Sequence, residues 1–249
     1  MRRAFAALLA LGVVAGCDAG SSGADAGRPD AALEFPRPDR AASRSGLTAF
    51  STEAKRDSMN EAQVVMDLAR IGVGTTVADI GAGEGYYTVR LAERVGPQGR
   101  VLAQDIDRGA LERLGNRVER ERLDNVSIKP GAEDDPRLPQ ASFDRIFMVH
   151  MYHEVTEPYA FLWHLRPALR PGGKVIVVAM DRATDDDGIP PKLLFCEFAA
   201  VGFRLVQFVR KPELQGYYAE FEVVGNRPAP GAIRPCVVDR QTMTKSGKK

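Results

Sequence analysis

Short apolar segments alternate with helical patterns along most of this 249-residue chain, and this alternation restricts the fold more than any other feature. The segments are apolar enough to be buried on both faces, as the strands of a parallel sheet are. Parallel strands need crossover connections, so the intervening helices are expected to cover both faces of the sheet. The predicted strands are Val77–Ile80, Val101–Gln104, Val126–Lys129, Arg145–Val149 and Lys174–Met180.

Two more strands are predicted after the last crossover. Phe203–Val209 and Tyr217–Val224 are separated by "RKPELQG", which has the composition of a loop, so they are expected to form an antiparallel hairpin. Together the patterns predict an α/β fold with five parallel strands plus this C-terminal hairpin. The predicted helices are one that leads from Leu47 toward Ile71, then Tyr86–Val95, Gly109–Arg122, Pro158–Leu169 and Pro191–Val201.

The N-terminus follows a different pattern. Arg2 and Arg3 precede an apolar stretch over residues 4–16 that is too short to span a bilayer, which predicts an export signal at residues 1–16. The ending "VAGC" resembles the lipobox of bacterial lipoproteins. That resemblance implies a lipid group on Cys17 and a protein anchored in the bacterial cell envelope, facing the periplasm. The alternatives are an ordinary signal peptide, or an unused signal and a cytoplasmic protein.

Composition divides the rest of the chain into three parts. Residues 17–45 are rich in Ala, Gly, Ser, Asp, Arg and Pro, as flexible tethers are, so the folded domain is expected at 46–225. Residues 226–249 lack periodicity and are predicted to be an extended or disordered tail. Cys196 and Cys236 either form a disulfide or leave a buried free Cys196.

The charge balance argues against nucleic acid as a partner. Lys and Arg number 34 against 33 Asp and Glu, so the chain has no basic excess that would bind a phosphate backbone. Its cysteines and histidines also lack the ligand spacing of a zinc site.

A glycine-rich turn follows the first predicted strand. In "VADIGAGEG" the glycines are Gly81, Gly83 and Gly85, at the sheet edge where open α/β folds bind nucleotide-like ligands. The spacing is GxGxG rather than the dinucleotide fingerprint GxGxxG, because position 86 is Tyr86, and this favours a ligand that lacks a pyrophosphate. Asp105 ends the second strand, where a carboxylate can accept both hydroxyls of a ribose. An adenosine-bearing ligand is therefore expected.

Four segments in order resemble class I S-adenosylmethionine-dependent methyltransferases. "VADIGAGEGYYTVRLA" is similar to that family's first motif, "GRVLAQDID" to its second, "SFDRIFMVH" to its fourth strand and "LRPGGKVIVV" to the turn into its fifth. The resemblance covers about residues 47–224. It implies a Rossmann-like seven-stranded, mostly parallel sheet with helices on both faces, and S-adenosyl-L-methionine as the cofactor.

The same resemblance implies a set of cofactor-binding residues. Asp79 would orient the glycine loop or hold the methionine ammonium through water, Asp105 would hold the ribose, and Ile106 would lie against the adenine. After the third strand this chain reads "GAEDDPRLP", so which acidic residue faces the adenine is open, and Glu133 is favoured. The full predicted set is Asp79, Gly81, Ala82, Gly83, Glu84, Gly85, Asp105, Ile106, Ala132, Glu133 and His150.

The segment "VHMYHEV" after the fourth strand supplies candidates for the acceptor side. Methyl transfer from a sulfonium needs the two reactants in line, and some acceptors also need a base. The candidate catalytic residues are His153, Tyr152 and Glu154, and no metal is expected. For His153, the other reading is a hydrogen-bonded structural histidine.

The predicted function is methyl transfer to a small-molecule or lipid-soluble acceptor. S-adenosylmethionine is made in the cytoplasm, whereas a lipoprotein domain faces away from it. This conflict keeps open an alternative, an envelope ligand-binding lipoprotein or pseudoenzyme with a methyltransferase fold.

Overall fold

The computed structural model describes residues 25–41, 52–212 and 216–237. One seven-stranded sheet runs through it, in the order β3-β2-β1-β4-β5-β7-β6. The first five strands are parallel, and β7 is antiparallel to both β5 and β6, which confirms the predicted fold class. The strands are β1 Thr76–Ile80, β2 Arg100–Asp105, β3 Val126–Pro130, β4 Phe143–Val149, β5 Leu169–Ala179, β6 Phe203–Lys211 and β7 Gly216–Val223.

Six α-helices accompany the sheet in the described residues, and 3-10 turns lie between some of them. They are α1 Glu53–Ser58, α2 Glu61–Leu68, α3 Tyr86–Val95, α4 Arg108–Glu121, α5 Pro158–Leu165 and α6 Pro191–Ala200. Within the described ranges, no helix is both long and apolar enough to cross a membrane.

Alternation along the central strands sends their side chains into two separate cores. Ala78 and Ile80 of β1 join the cluster under α5 and α6, whereas Val77 joins the cluster under α2 and α3. Asp79 is the exception, a buried carboxylate at the end of β1. Because the first five strands are parallel, their C-terminal ends and the loops that follow them meet at one edge of the sheet.

Two helix predictions need correction. The helix expected to run toward Ile71 is two helices, because Asn60 adopts a left-handed backbone with φ of 52° between α1 and α2. The helix expected to reach Leu169 ends at Leu165 and continues only as a 3-10 turn, since Pro167 has no N–H to donate within an α-helix.

The predicted tether is the larger correction. Residues 25–41, here called the N-terminal strap, pack against the domain and bury Ala32 and Phe35 in its core. Phe35 packs edge-on against Trp163, and Arg28 forms an ion pair of 2.7 Å with Glu157 before α5. Composition suggested a flexible segment because the strap has few apolar residues, but two of them, together with Arg28 and Arg40, contact the domain. The signal peptide at 1–16 and Cys17 lie outside the described residues.

The predicted tail also packs as far as residue 237. Cys236 forms a disulfide with Cys196 of α6, and its backbone N–H donates to the Tyr159 hydroxyl at 2.7 Å. Ile233 is buried in the same core as the strap. This segment contains a 3-10 turn at Pro230–Ala232, and contacts distant in sequence hold it on the domain.

Candidate functional site

The glycine loop between β1 and α3 is open at only one of its three glycines. Gly81, Gly83 and Gly85 all have positive φ, at 68°, 55° and 90°, where side chains are strained. A Cβ on Gly81 would lie 2.8 Å from the Met151 side chain, and one on Gly85 would collide with Leu114. A Cβ on Gly83 would meet nothing within 4 Å. Gly83 is therefore the place where another molecule can approach the bare backbone.

Most amides of this loop bond within the protein. The N–H groups of Gly81 and Ala82 donate to the carbonyl of Gln104 at 2.8 and 3.0 Å, and that of Gly85 donates to Ala82. The Glu84 side chain points outward to Arg113 at 2.7 Å. We expected the whole backbone of the loop to approach the ligand, but only the surface around Gly83 is open to it.

Asp105 is directed at the glycine loop. Its Oδ2 accepts a hydrogen bond from the Gly83 N–H at 2.8 Å, and its Oδ1 accepts one from the Asp107 N–H at 2.9 Å. Each carboxylate oxygen can accept more than one hydrogen bond, so both keep capacity for hydroxyl donors. Ile106, next in the chain, is 55 % exposed although it is large and apolar. A carboxylate and an apolar surface therefore lie side by side at the end of β2.

Asp79 lies deeper, beneath the loop. It is 3 % exposed and accepts a hydrogen bond from the Thr88 hydroxyl at 2.7 Å, which ties β1 to the first turn of α3. Burial raises the pKa of Asp79 to about 6, against the hydrogen bond from Thr88, and the charge of Asp105 adds to the rise. Asp79 thus joins the strand before the glycine loop to the helix after it, and its two predicted roles stay predictions.

The loop after β3 places its acidic residues differently. The Ala132 N–H donates to the Asp135 carbonyl at 2.8 Å, which folds the loop back on itself. Asp134 is buried, whereas Glu133 is exposed and lies 3.4 Å from the Thr156 hydroxyl. Glu133 is therefore beside the segment that follows β4, and its contact with adenine stays a prediction.

The 3-10 turn Tyr152–Glu154 after β4 carries the predicted catalytic residues, and they point to different places. Tyr152 is fully buried, and its hydroxyl donates to Glu197 of α6 at 2.8 Å, so it is not available to an acceptor. This corrects its predicted catalytic role, which followed only from its place in the motif. His153 is 2 % exposed, and neither ring nitrogen has a hydrogen-bond partner among the described residues. No hydrogen bond from the described residues therefore supports the alternative of a structural histidine, and the role of His153 stays a prediction.

His153 and Glu154, which the sequence predicts on the acceptor side, lie next to each other on this turn. His153 Nε2 lies 3.7 Å from Glu154 Oε1. Burial lowers the pKa of His153 to about 4, so the ring is neutral at physiological pH. Burial, then the charges of Asp105 and Asp187, raise the pKa of Glu154 to about 7. Sequence reasoning missed Asp187, although its acidic run follows β5 at the same edge of the sheet.

His150 was predicted to line the cofactor pocket, and its ring lies against α2. Its Nε2 is 3.5 Å from Oε1 of the fully buried Glu61, which also accepts hydrogen bonds from Arg56 and the Tyr87 hydroxyl. Burial alone would raise the pKa of Glu61, but His150 and Arg56 lower it to about 2. No sequence motif marks Glu61, because its partners come from three separate segments.

The described residues fit an adenosine-bearing cofactor. The space at Gly83 admits a ligand against the backbone, Asp105 offers carboxylate oxygens beside it, and Ile106 presents an apolar surface that an adenine would cover. The buried carboxyl of Asp79 lies under the same loop. These features occur together at the edge where parallel α/β sheets bind nucleotides.

This fold and site define a Rossmann-like methyltransferase fold, and the comparisons with known proteins agree. Residues 77–173 match the family model described as a methyltransferase domain. A solved structure of an S-adenosylmethionine-dependent methyltransferase from Aquifex aeolicus superposes with a TM-score of 0.59 at 22 % identity, over 69 % of this chain and 97 % of that one. At that identity the likeness establishes the fold.

Two curated relatives are similar over part of the chain. The protein-L-isoaspartate O-methyltransferase of Methanothrix thermoacetophila is 32 % identical over 46 % of this chain and 51 % of its own length. The ubiquinone/menaquinone biosynthesis C-methyltransferase of Hahella chejuensis is 29 % identical over 54 % and 59 %. The chain therefore spans only about half to three fifths of these relatives. The matches agree with the expected enzyme class and cofactor, and they involve different acceptors.

Proposed function

We propose that this protein is an S-adenosylmethionine-dependent methyltransferase that acts on a small-molecule or lipid-soluble acceptor. One observation carries the proposal: the Asp105 carboxylate accepts a hydrogen bond from the Gly83 amide, at the glycine where the loop is open. The family match at residues 77–173 supports the same activity. One curated relative is named for a quinone pathway and the other for a protein substrate, so the acceptor has to be inferred from this chain's own residues.

The cofactor side follows from the geometry. When bound, S-adenosylmethionine supplies a methyl group already activated on sulfur. The chain's own task is to hold the two reactants in line and to exclude water. Asp105 would accept the ribose hydroxyls, Ile106 would cover one face of the adenine and Glu133 would accept from its amino group. Asp79 would keep the loop in its open form.

The acceptor side would use the pair after β4. The neutral His153 ring can accept a hydrogen bond from an acceptor hydroxyl or amine, but a pKa of about 4 makes it a weak base at neutral pH. Glu154, 3.7 Å away, would be the base of the pair, because its pKa of about 7 lies near the operating pH. Because the ring is buried, an acceptor that contacts it would have to displace part of its surroundings.

The N-terminal strap supports a membrane-derived acceptor. Asp25 follows Cys17 by eight positions, and a chain of that length spans at most about 28 Å. Asp25 pairs with Arg28, which is held on Glu157 shortly after the turn Tyr152–Glu154. A lipid group on Cys17 would therefore keep the acceptor side close to the bilayer. The Cys196–Cys236 disulfide also favours an oxidising compartment, as an exported protein would meet.

Cofactor binding and methyl transfer are tested separately. Calorimetry with S-adenosylhomocysteine should show micromolar binding to the protein, and Asp105→Asn should weaken it at least tenfold. Glu112→Gln, an exposed carboxylate on α4, is the control and should bind as the wild type does. Failure of the wild type to bind would exclude the proposal, whereas binding without transfer of labelled methyl groups to envelope extracts would indicate a ligand-binding protein.

The anchor has its own experiment. Labelling cells with radioactive palmitate should mark the wild type, and Cys17→Ser should abolish the label. The variant should also move from the membrane to the soluble fraction. A protein that is unlabelled and cytosolic in both forms would refute the proposed envelope location while leaving the proposed chemistry standing.

A further inference from the structure

Arg40, near the end of the N-terminal strap, bonds directly to the turn that carries His153. Its Nη1 donates to the His153 carbonyl at 3.1 Å, and its Nη2 donates to the Val155 carbonyl at 2.7 Å. Its Nε donates to Glu197 Oε1 at 2.8 Å, and the other oxygen of Glu197 accepts from the Tyr152 hydroxyl. A single guanidinium thus joins the strap, the turn and α6.

This arrangement is almost completely buried. The side chain of Arg40 is 2 % exposed and that of Glu197 is 1 % exposed. Burying two charges carries a desolvation cost that only well-formed hydrogen bonds offset, so such a pair is weak evidence for a purely stabilising role. The planar fork of arginine satisfies two carbonyls and a carboxylate at once, which a lysine ammonium cannot reproduce.

We propose that Arg40 is a positioning residue for the acceptor side, which holds the turn Tyr152–Glu154 and keeps His153 buried next to Glu154. This inference rests on the proposed methyltransferase function. It adds a residue that lies outside the family match at 77–173, in a segment whose composition gave no sign of a role in the site.

The surroundings of His153 make the effect measurable. Burial is the main cause of its low pKa, and the charges of His150 and Arg40 lower the pKa further, whereas that of Asp187 opposes them. Glu154 lies 3.7 Å away on the same turn. If Arg40 no longer held the turn, His153 would lose both its burial and a nearby positive charge, and its pKa would rise.

The histidine NMR titration is the direct test. The chain has three histidines, so the imidazole signal of His153 is assigned by its loss in His153→Gln. Two variants are compared with the wild type. Arg40→Gln combined with Glu197→Gln removes both buried charges and leaves neither unpaired, and Arg40→Lys keeps the charge but loses the two carbonyl bonds.

The matched control uses the strap's other buried arginine. Arg28→Gln combined with Glu157→Gln removes an ion pair of similar length that does not contact the turn. It loosens the strap without releasing His153, so it separates a positioning role from general loss of strap packing.

We expect both Arg40 variants to raise the proton affinity of His153 at least tenfold, and the control to leave it unchanged. S-adenosylhomocysteine affinity should change less than threefold in all of them, because the cofactor contacts are untouched. A wild-type titration in Arg40→Lys, or an equal shift in the control, would overturn the proposal. If the variant that combines Arg40→Gln with Glu197→Gln does not fold, the His153 titration in Arg40→Lys alone tests the proposal. Lack of S-adenosylhomocysteine binding by the wild type would instead refute the proposed function, and the two failures are therefore distinct.

Discussion

The Gly83 amide donates to the Asp105 carboxylate across 2.8 Å, which couples the glycine loop after β1 to the end of β2. Because the two residues are 22 positions apart, this bond forms only when the neighbouring strands are in register. It also holds the carboxylate beside the open face of Gly83. The cofactor site is therefore preorganised by the sheet itself.

Gly83→Ala should abolish S-adenosylhomocysteine binding while costing only about 1 kcal/mol of stability, the strain of a left-handed alanine. Its methyl group would fill the space where the ligand is expected. Gly74→Ala is the matched control, since Gly74 also has positive φ and open space but lies in the loop before β1. Thermal unfolding and calorimetry on both variants check this. Equal binding by the two would show that the ligand does not lie against Gly83.

Asp79→Asn should stabilise the protein at pH 7.5 and weaken cofactor binding. The folded pKa of Asp79, about 6, lies above the ordinary 3.8. The folded protein therefore holds the Asp79 proton more tightly than the unfolded chain does. The free energy of unfolding gains its full contribution from Asp79 below pH 3.8, and this contribution is lost as the pH rises through 6. The neutral side chain in Asp79→Asn does not ionise, so the variant avoids this loss of unfolding free energy, which amounts to about 3 kcal/mol at most. Urea unfolding at pH 4 and pH 7.5 measures it, and a variant less stable at pH 7.5 would contradict the buried-charge account.

Stability should fall in acid because His153 must stay neutral in the fold. Its folded pKa of about 4 lies below the ordinary 6.5, so the contribution is complete above pH 6.5 and is lost as pH falls through 4. The loss is about 3 kcal/mol. His153→Gln should remove much of this pH dependence. Burial also lowers the pKa of His150, so a part should remain.

The control for this acid effect is His164→Gln. His164 is half-buried on α5, and its Nδ1 lies 3.0 Å from the Asp134 carbonyl, away from the turn after β4. The free energy of unfolding, measured with denaturant between pH 4 and 7, should depend on pH in this variant as it does in the wild type. If His153→Gln left the pH dependence of the unfolding free energy unchanged, His153 would be solvated and could be protonated without unfolding.

Reduction of the Cys196–Cys236 disulfide should lower the free energy of unfolding by about 4 kcal/mol, from the entropy of a loop closed over 40 residues. Cys196→Ser should produce the same loss without a reductant, and adding a reductant to that variant should have no further effect. Denaturant midpoints with and without dithiothreitol measure both. A reductant-insensitive wild type would show that the bond does not form in solution.

The strand positions along the chain and the glycine loop illustrate what local pattern can predict. Apolar runs such as Val77–Ile80 must be buried wherever they lie, and three glycines in five positions permit only a turn. The same reasoning located Asp105, since carboxyl ends of adjacent parallel strands meet at one edge. It failed at Tyr152, whose position in the motif was right but whose side chain turns into the core toward Glu197.

The sequence by itself determined the α/β class, the glycine loop after β1 with Asp105 at the end of the next strand, and the family resemblance, because all three depend on periodicity and on spacing between neighbours. Only the tertiary structure decided that the strap is part of the domain, that Arg40 holds the turn of His153, and that Cys236 joins α6. Those contacts connect residues as far apart as Arg40 and Glu197. Their partners are buried by packing of the whole chain, which no local pattern records.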